Sequence, residues 1–170
     1  NWNYSRSLLF GWAIPFWHEG LSANYSINDK VGVTGYVYNK TAEAYQTNRS
    51  KTYGAQISTA PIENLSLVYN YLGGPEADST GASESRAVHE VNGSYQFTPS
   101  LAAGFDVVKG SLSESGDWFA WSIAARWKTG RYSLSPRFEV FDDPDGAAFG
   151  AGYGQRLMTE TLTLGADLGG

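Results

Sequence analysis

Two residues of the sequence, His18 and His89, could act as a general base near neutral pH. His18 stands beside Glu19 in a serine-rich chain, so a Ser-His-acid hydrolytic site is conceivable. No catalytic motif surrounds either histidine, and ordinary packing accounts for both. We therefore predict no catalytic residue and a protein that is not an enzyme, with a phospholipase or protease activity as the alternative.

Three carboxylates lie close together in Asp142-Asp143-Pro144-Asp145-Gly146. Oxygen-rich loops of this kind can bind calcium, which makes Asp142, Asp143 and Asp145 a weak metal-site candidate. Asp-Pro and Asp-Gly are also common turn sequences, and the spacing does not match an EF-hand loop. Because the chain has 0 cysteines, thiolate metal sites are excluded. We favour a turn here and predict neither a metal nor a cofactor.

Bulk composition excludes several classes of protein. The net charge of -5 argues against a nucleic-acid partner, since phosphate binding needs clustered Lys and Arg. Aromatic residues make up 15% of the chain and charged residues only 17%, which argues against disorder. The mean hydropathy is -0.33, and no run of about 18 apolar residues could form a transmembrane helix. Polar and apolar residues must therefore be finely interleaved.

Strict alternation of polar and apolar residues is the main structural signal, and it predicts β-strands. In one stretch, Tyr132, Leu134, Phe138 and Val140 fall on one face and polar residues fall on the other. No comparable 3.6-residue period persists, so helices should be scarce. We predict an all-β fold with ten strands, at 5–14, 18–28, 30–39, 51–60, 64–73, 86–97, 100–110, 117–128, 131–141 and 156–168.

The connections between these strands are predicted to alternate in length, apart from a short first connection at 15–17. Tight turns fall near residues 29, 62, 99 and 130, and the longer loops are 40–50, 74–85, 111–116 and 142–155. Outer-membrane barrels show this pattern because periplasmic turns are short and extracellular loops are extended. A soluble β-sandwich has no reason to show it. We therefore predict an antiparallel, up-and-down transmembrane β-barrel in a bacterial outer membrane.

The face opposite the apolar one carries Ser, Asn, Gln, Gly and Ala with few charges. A face in bulk water should be rich in Lys, Glu and Asp, whereas small polar residues suit the crowded wall of a water-filled channel. We expect Arg126 and Arg137 to point to water and to pair with carboxylates such as Glu139 or Asp106. The predicted pore-lining residues are Ser22, Asn24, Ser26, Gln56, Asn70, Glu90, Asn92, Gln96, Asp106, Arg126, Arg137 and Glu139.

Aromatic residues collect near the predicted strand ends. Amphipathic rings are enriched at membrane–water interfaces because one part is apolar and the other can form hydrogen bonds. The alternative is that these rings pack a soluble core. The predicted membrane-interface aromatics are Trp12, Trp17, Tyr71, Tyr95, Phe97, Trp118, Trp127, Tyr132 and Phe141.

Lipid does not tolerate an open sheet edge, so the strands must belong to a closed barrel. Asn1 leads almost directly into a predicted strand, and Leu168-Gly169-Gly170 stops where a turn would begin. We therefore expect residues 1–170 to be a single β-barrel segment that is truncated at its N-terminus. A truncation at the C-terminus is left open.

Four segments resemble the OmpL-like β-barrel porin family of bacterial outer membranes. They read NWNYSRSLLFGWAIP at 1–15, VTGYVYN at 33–39, YLGGPE at 71–76 and FDDPDG at 141–146. Their order and spacing are similar along nearly the whole chain. In that family the first motif follows several strands, so the resemblance implies an N-terminal truncation and a larger outer-membrane channel. It implies transport but no particular solute.

The leading functional prediction is a porin in which small hydrophilic solutes or ions diffuse passively through a polar lumen. Its partners would be the lipid bilayer and those solutes, and a homo-oligomer or a contact with another envelope protein is left open. The predicted lumen carries more acidic than basic residues, which favours a weak cation preference. Two alternatives remain: a structural barrel that anchors another envelope component, and a soluble all-β carbohydrate-binding module.

Overall fold

A computed structural model describes residues 2–15, 18–41, 51–77, 83–148 and 153–168. In this part of the chain, nine strands form one sheet. The strands are β1 (His18–Asn28), β2 (Val31–Thr41), β3 (Thr52–Thr59), β4 (Leu65–Ala77), β5 (Ser83–Thr98), β6 (Leu101–Leu112), β7 (Gly116–Thr129), β8 (Tyr132–Asp143) and β9 (Gln155–Ala166).

Each strand pairs antiparallel with its neighbours in sequence, in the order β1 to β9. The predicted all-β, up-and-down fold is therefore confirmed, with nine described strands in place of ten. Tight turns lie at 29–30, 99–100 and 130–131, and Gly130 takes a φ of 56°, a conformation that glycine adopts without strain. The sheet is not closed, because β1 and β9 are its two edges and do not pair with each other.

Two connections predicted as long loops are largely strand. β4 and β5 stay paired as far as Ala77 and Ser83, so most of the predicted loop 74–85 lies within them. Between β6 and β7 the predicted loop 111–116 is a turn of residues 113–115. Ladder pairing outweighs the low strand propensity of Gly, Ser and Pro in these segments. The predicted alternation of short and long connections is therefore wrong at these two places.

Side-chain alternation divides the sheet into two faces, and cross-strand pairing keeps the division consistent from strand to strand. Phe105 pairs with Ile123, and Ile123 pairs with Phe138, so these three apolar residues share one face. We call this the outer face. The opposite side, which carries Ser122 and Glu139, is the inner face.

Residues 2–15 lie on the inner face and are called the inward segment. They contain a π-helical turn, Leu9–Ala13, that contacts β6, β7 and β8. The prediction of a strand at 5–14 is therefore wrong, and Trp12 is not at a strand end. This stretch lacks strict alternation, because Leu8, Leu9 and Phe10 are consecutive apolar residues. No helix in the described part of the chain is long and apolar enough to cross a membrane.

The buried apolar cluster lies between the inward segment and the inner face of β4 to β8. Its deepest members come from both sides: Leu9 is 0% exposed and Phe141 is 0% exposed. This arrangement is the reason that the inward segment stays in place without belonging to the sheet. The cluster consists of Leu9, Ala13, Leu72, Val88, Val108, Leu112, Trp118, Ala120, Phe141 and Ala147.

Candidate functional site on the inner face

A belt of polar side chains crosses the inner face at one level, with one residue from each strand. On β1 to β5 its members are direct cross-strand partners, and on β6 to β9 they form a second series of direct partners. The two series are offset by two residues between β5 and β6, where Asp106 pairs with Asn92. The polar belt consists of Asn24, Thr34, Gln56, Asn70, Glu90, Asp106, Ser122, Glu139 and Thr159.

Hydrogen bonds join neighbouring members of the polar belt. Nδ2 of Asn24 donates to Oγ1 of Thr34 at 2.8 Å. Nε2 of Gln56 donates to Oδ1 of Asn70 at 2.8 Å, and Nδ2 of Asn70 donates to Oε2 of Glu90 at 2.8 Å. These hydrogen bonds run from one strand to the next, and they fix the orientation of the Asn24, Gln56 and Asn70 side chains on the inner face.

All the residues predicted to line a pore lie on the inner face. Register and alternation place them there without exception on β1, β3, β4, β5, β6, β7 and β8. Thr34, Ser122 and Thr159 were not predicted, although their positions in the alternation indicate the same face. The residues so placed are Ser22, Asn24, Ser26, Gln56, Asn70, Glu90, Asn92, Gln96, Asp106, Arg126, Arg137 and Glu139.

Arg137 and Glu139 tie the inward segment to β8. Nε of Arg137 donates to Oε2 of Glu139 at 2.8 Å, which confirms the predicted pairing of these two residues. The same guanidinium donates to the carbonyls of Ser5 and Arg6, both at 3.0 Å. The Glu139 carboxylate is 1% exposed and accepts a hydrogen bond from the amide of Leu8 at 2.9 Å. Because its planar donors are occupied in this way, Arg137 acts as a clamp.

Trp118 holds the other end of the inward segment. Its Nε1 donates to the carbonyl of Ala13 at 2.9 Å, and the side chain is 1% exposed. The prediction that Trp118 and Phe141 lie at a membrane interface is therefore wrong, because both are buried on the inner face. Strand alternation already indicates the inner face for both residues, since Trp118 shares a face with Ser122 and Phe141 shares one with Glu139.

Glu90 and Asp106 are inner-face carboxylates without a basic partner. Within the described residues neither forms a salt bridge, and Oδ1 of Asp106 has no hydrogen-bond partner. The pairing predicted for Arg126 is not formed, and its Nε is unpartnered. Arg126 pairs across the ladder with Ala102, four residues along β6 from Asp106, and is thus too far away. Two neighbouring carboxyl groups without a basic partner among the described residues therefore lie between β5 and β6.

Two cavities open beside the inward segment. The larger, of about 780 Å³, is lined by Arg6 of the segment and by Asp106 of the sheet, among others. The smaller, of about 230 Å³, is lined on one side by Tyr38. Ile14 and Glu90 line both cavities. The two spaces are therefore neighbours, and Glu90 stands between them.

The family of the chain is decided by comparison with family models. The model described as "Putative beta-barrel porin-2, OmpL-like" matches residues 1–169. The chain belongs to this porin family. The resemblance expected from the four sequence segments is thus confirmed. No curated protein and no solved structure matches the chain.

In a porin the outer face should be apolar, and large hydrophobic side chains are exposed there. Leu21 is 80% exposed and Leu162 is 65% exposed, on the first and last strands. An apolar concavity of about 900 Å³ lies on this side of the sheet, where Glu160 is a charged exception beside Phe138. Such a surface suits lipid and argues against a soluble carbohydrate-binding module.

The remaining predicted interface aromatics divide into two groups. Trp17 lies outside the described residues. The others lie on the outer face, where Tyr95 and Phe97 pack edge to face at 4.9 Å. Their position at the membrane–water boundary stays a prediction. These outer-face aromatics are Tyr71, Tyr95, Phe97, Trp127 and Tyr132.

The carboxylates of the 142–146 segment are separated. Asp143 is 0% exposed and accepts hydrogen bonds from the amides of Ala147 at 2.8 Å and Ala148 at 3.1 Å. Asp142 points to the opposite face, and the Oδ2 of Asp145 accepts from the amide of Asp117 at 3.4 Å. Among the described residues, no three potential ligand side chains come together to hold a metal. The favoured turn accounts for this geometry.

The two histidines lie on opposite faces and form aromatic contacts. Nδ1 of His89 lies 2.8 Å from the hydroxyl of Tyr69 on the outer face. His18 stacks on Tyr38 with a centroid separation of 4.3 Å. Neither arrangement resembles a Ser-His-acid site. The porin family indicates a protein that is not an enzyme.

Proposed function

We propose that this chain forms part of the wall of an outer-membrane channel through which small hydrophilic solutes or ions diffuse passively. The polar belt carries the proposal, because every one of the nine strands contributes a polar residue at one level of the inner face. The outer face is apolar, as the side of a strand that contacts the hydrocarbon region of a membrane must be. Membership of a porin family supports the general role.

The inward segment narrows this channel in the proposed mechanism. It crosses the inner face from Asn3, which donates to the carbonyl of Ser135 at 2.7 Å, to Ala13 under Trp118. Solutes then pass between the segment and the wall, through the space that Glu90 borders. Size exclusion follows from the width left by the segment, and charge selection follows from the side chains that line it.

The two sheet edges must be paired when the protein lies in a membrane. Unpaired backbone groups of β1 and β9 would be very unfavourable in lipid. Because the nine strands of the described residues alternate in direction, β1 and β9 run the same way, whereas bacterial single-chain barrels have an even number of antiparallel strands. We therefore propose that an odd number of further strands completes the barrel, and that residues 1–170 are one segment of its wall.

A weak cation preference is the expected selectivity. Arg137 and Glu139 neutralise each other, whereas Glu90 and Asp106 have no basic partner among the described residues. Replacing Arg126 by Ser should shift the reversal potential in a salt gradient further towards cations, because one inner-face positive charge is removed. An unchanged potential would show that Arg126 does not face the permeation path.

Single-channel recording of the full protein in a planar bilayer tests the proposal. We expect discrete current steps whose size rises with salt concentration, as for a water-filled pore. A folded, inserted protein that carries no current would contradict it. That result would favour a structural barrel closed by the inward segment, since Leu9 and Ala13 of this segment are buried against the wall.

A further inference from the structure

The smaller inner-face cavity has an aromatic side and an acidic side. His18, Tyr38 and Tyr36 form a row of rings, with centroid separations of 4.3 Å and 5.4 Å. Asn70 and Glu90 line the cavity from β4 and β5. Aromatic faces and a carboxylate are the groups that hold an organic cation, because the cation is attracted both to the ring quadrupole and to the charge.

Glycines on the neighbouring strands let the tyrosine rings lie low against the wall. A Cβ at Gly20 would clash with the carbonyl oxygen of Val37 and would be 2.9 Å from Cδ1 of Tyr38. A Cβ at Gly54 would be 3.2 Å from both Cδ2 of Tyr36 and the carbonyl oxygen of Tyr71. Larger residues at Gly20 and Gly54 would therefore displace the adjacent strand backbone as well as the rings. Because these positions are glycines, the rings can lie close to the strands at one side of the cavity, and the rest of the cavity stays open to a solute.

The charge of this cavity favours a cation over a sugar. Among the described residues that line it, none is Lys or Arg, and Glu90 is the carboxylate. Glu90 accepts a hydrogen bond from Nδ2 of Asn70 and lies within hydrogen-bonding distance of the Asp106 carboxyl, and it forms no salt bridge within the described chain. Glu90 is half-buried, and a carboxylate without a basic partner attracts positive charge, so a cationic solute would gain by taking a position beside it.

We propose that this cavity is a binding site for a compact quaternary ammonium or similar organic cation on its way through the channel. Its volume of about 230 Å³ is below that of sites for drug-sized ligands, which limits it to small solutes. The cation would rest against the ring of Tyr36, at the end of the row nearest the polar belt, with Glu90 as its counter-charge, because His18 and Tyr36 cover the two faces of Tyr38. Placement beside the inward segment makes it a selectivity site of the proposed channel, and to that extent it rests on the proposed function.

Choline titration into the full, detergent-solubilised protein tests the site without requiring transport. We expect calorimetric binding that is weakened about tenfold or more by Glu90→Gln, which removes the counter-charge, or by Tyr36→Leu, which removes the ring at the end of the row. Glu63→Gln, in the exposed 60–64 turn, is the matched charge control and should leave binding unchanged. The heat-dependent gel migration of folded barrels shows whether each variant is folded.

The neutral choline analogue 3,3-dimethyl-1-butanol and glucose decide the ligand class. Binding of choline but neither of these supports the proposal. Equal binding of the neutral analogue, binding of glucose in place of choline, or no choline binding by the folded protein would each overturn it. Current recordings distinguish failure of the cation site from failure of the channel. A conducting protein that does not bind choline refutes the site alone, whereas a protein that binds choline but carries no current refutes the channel alone.

Discussion

Two halves of the inner face have similar residue types but very different burial. In the covered half, Ser135 and Glu139 on β8 are each 1% exposed beneath the inward segment. In the open half, Ser22 and Asn24 on β1 are exposed. The strand pattern thus determines which face a residue occupies, but contact with residues 2–15 determines whether water reaches it. Polar residues of the same type therefore hold the inward segment in the covered half and face solvent in the open half.

The largest expected difference between the halves concerns Arg137. Arg137→Ala should lower the free energy of unfolding by about 3–5 kcal/mol, because it leaves the Glu139 carboxylate buried without its partner. Asn24→Ala in the open half should change it by only about 0.5 kcal/mol, as for other surface positions. Urea unfolding of both variants in the same lipid or detergent measures this comparison. Similar losses for the two would show that burial by the inward segment is not what distinguishes them.

A smaller effect is expected when a charge is moved from the inner to the outer face. Ile123→Arg should destabilise the folded barrel by about 2–4 kcal/mol if the residue lies near the middle of the membrane, and Phe138→Arg should do the same. Asn24→Arg places the same charge on the exposed inner face and serves as the control. Unfolding in lipid vesicles measures the three variants. A cost at position 24 that matches the cost at 123 would remove the distinction between the faces.

The smallest expected effect concerns a single hydrogen bond in the covered half. Trp118→Phe removes the donor to Ala13 and should cost about 0.5–1.5 kcal/mol, with an added packing loss. Trp127→Phe is the matched control, since Trp127 is 52% exposed on the outer face. Unfolding by denaturant compares the two. A greater loss at Trp127 would mean that the indole of Trp118 does not hold the segment.

The two faces of the sheet could be predicted because strand alternation is a local property. The odd and even positions around Arg137 and Glu139 indicate their side of the wall, and no distant contact is needed to read this. The same parity would have placed Trp118 on the inner face. The prediction fails there because Trp is enriched at membrane interfaces in general, whereas the indole of Trp118 is buried and donates to Ala13.

The inward segment could not be predicted, because its contacts are remote in sequence. Ser5 and Arg6 meet Arg137, more than a hundred residues away, and nothing near them signals that contact. The extended pairing of β4 and β5 is not predictable for a similar reason, since Gly73, Gly74 and Pro75 by themselves indicate a loop. Pairing between strands supplies the information that local propensity lacks.

The most direct test of the channel is thiol modification at two adjacent residues on opposite faces. The chain has 0 cysteines, so Asn92→Cys on the inner face and Val91→Cys on the outer face each introduce a single thiol. A charged, membrane-impermeant methanethiosulfonate reagent should reduce the single-channel current of Asn92→Cys and leave that of Val91→Cys unchanged. Current loss at Val91, or an open Asn92→Cys channel that the reagent does not affect, would contradict the assignment of the inner face as the lumen.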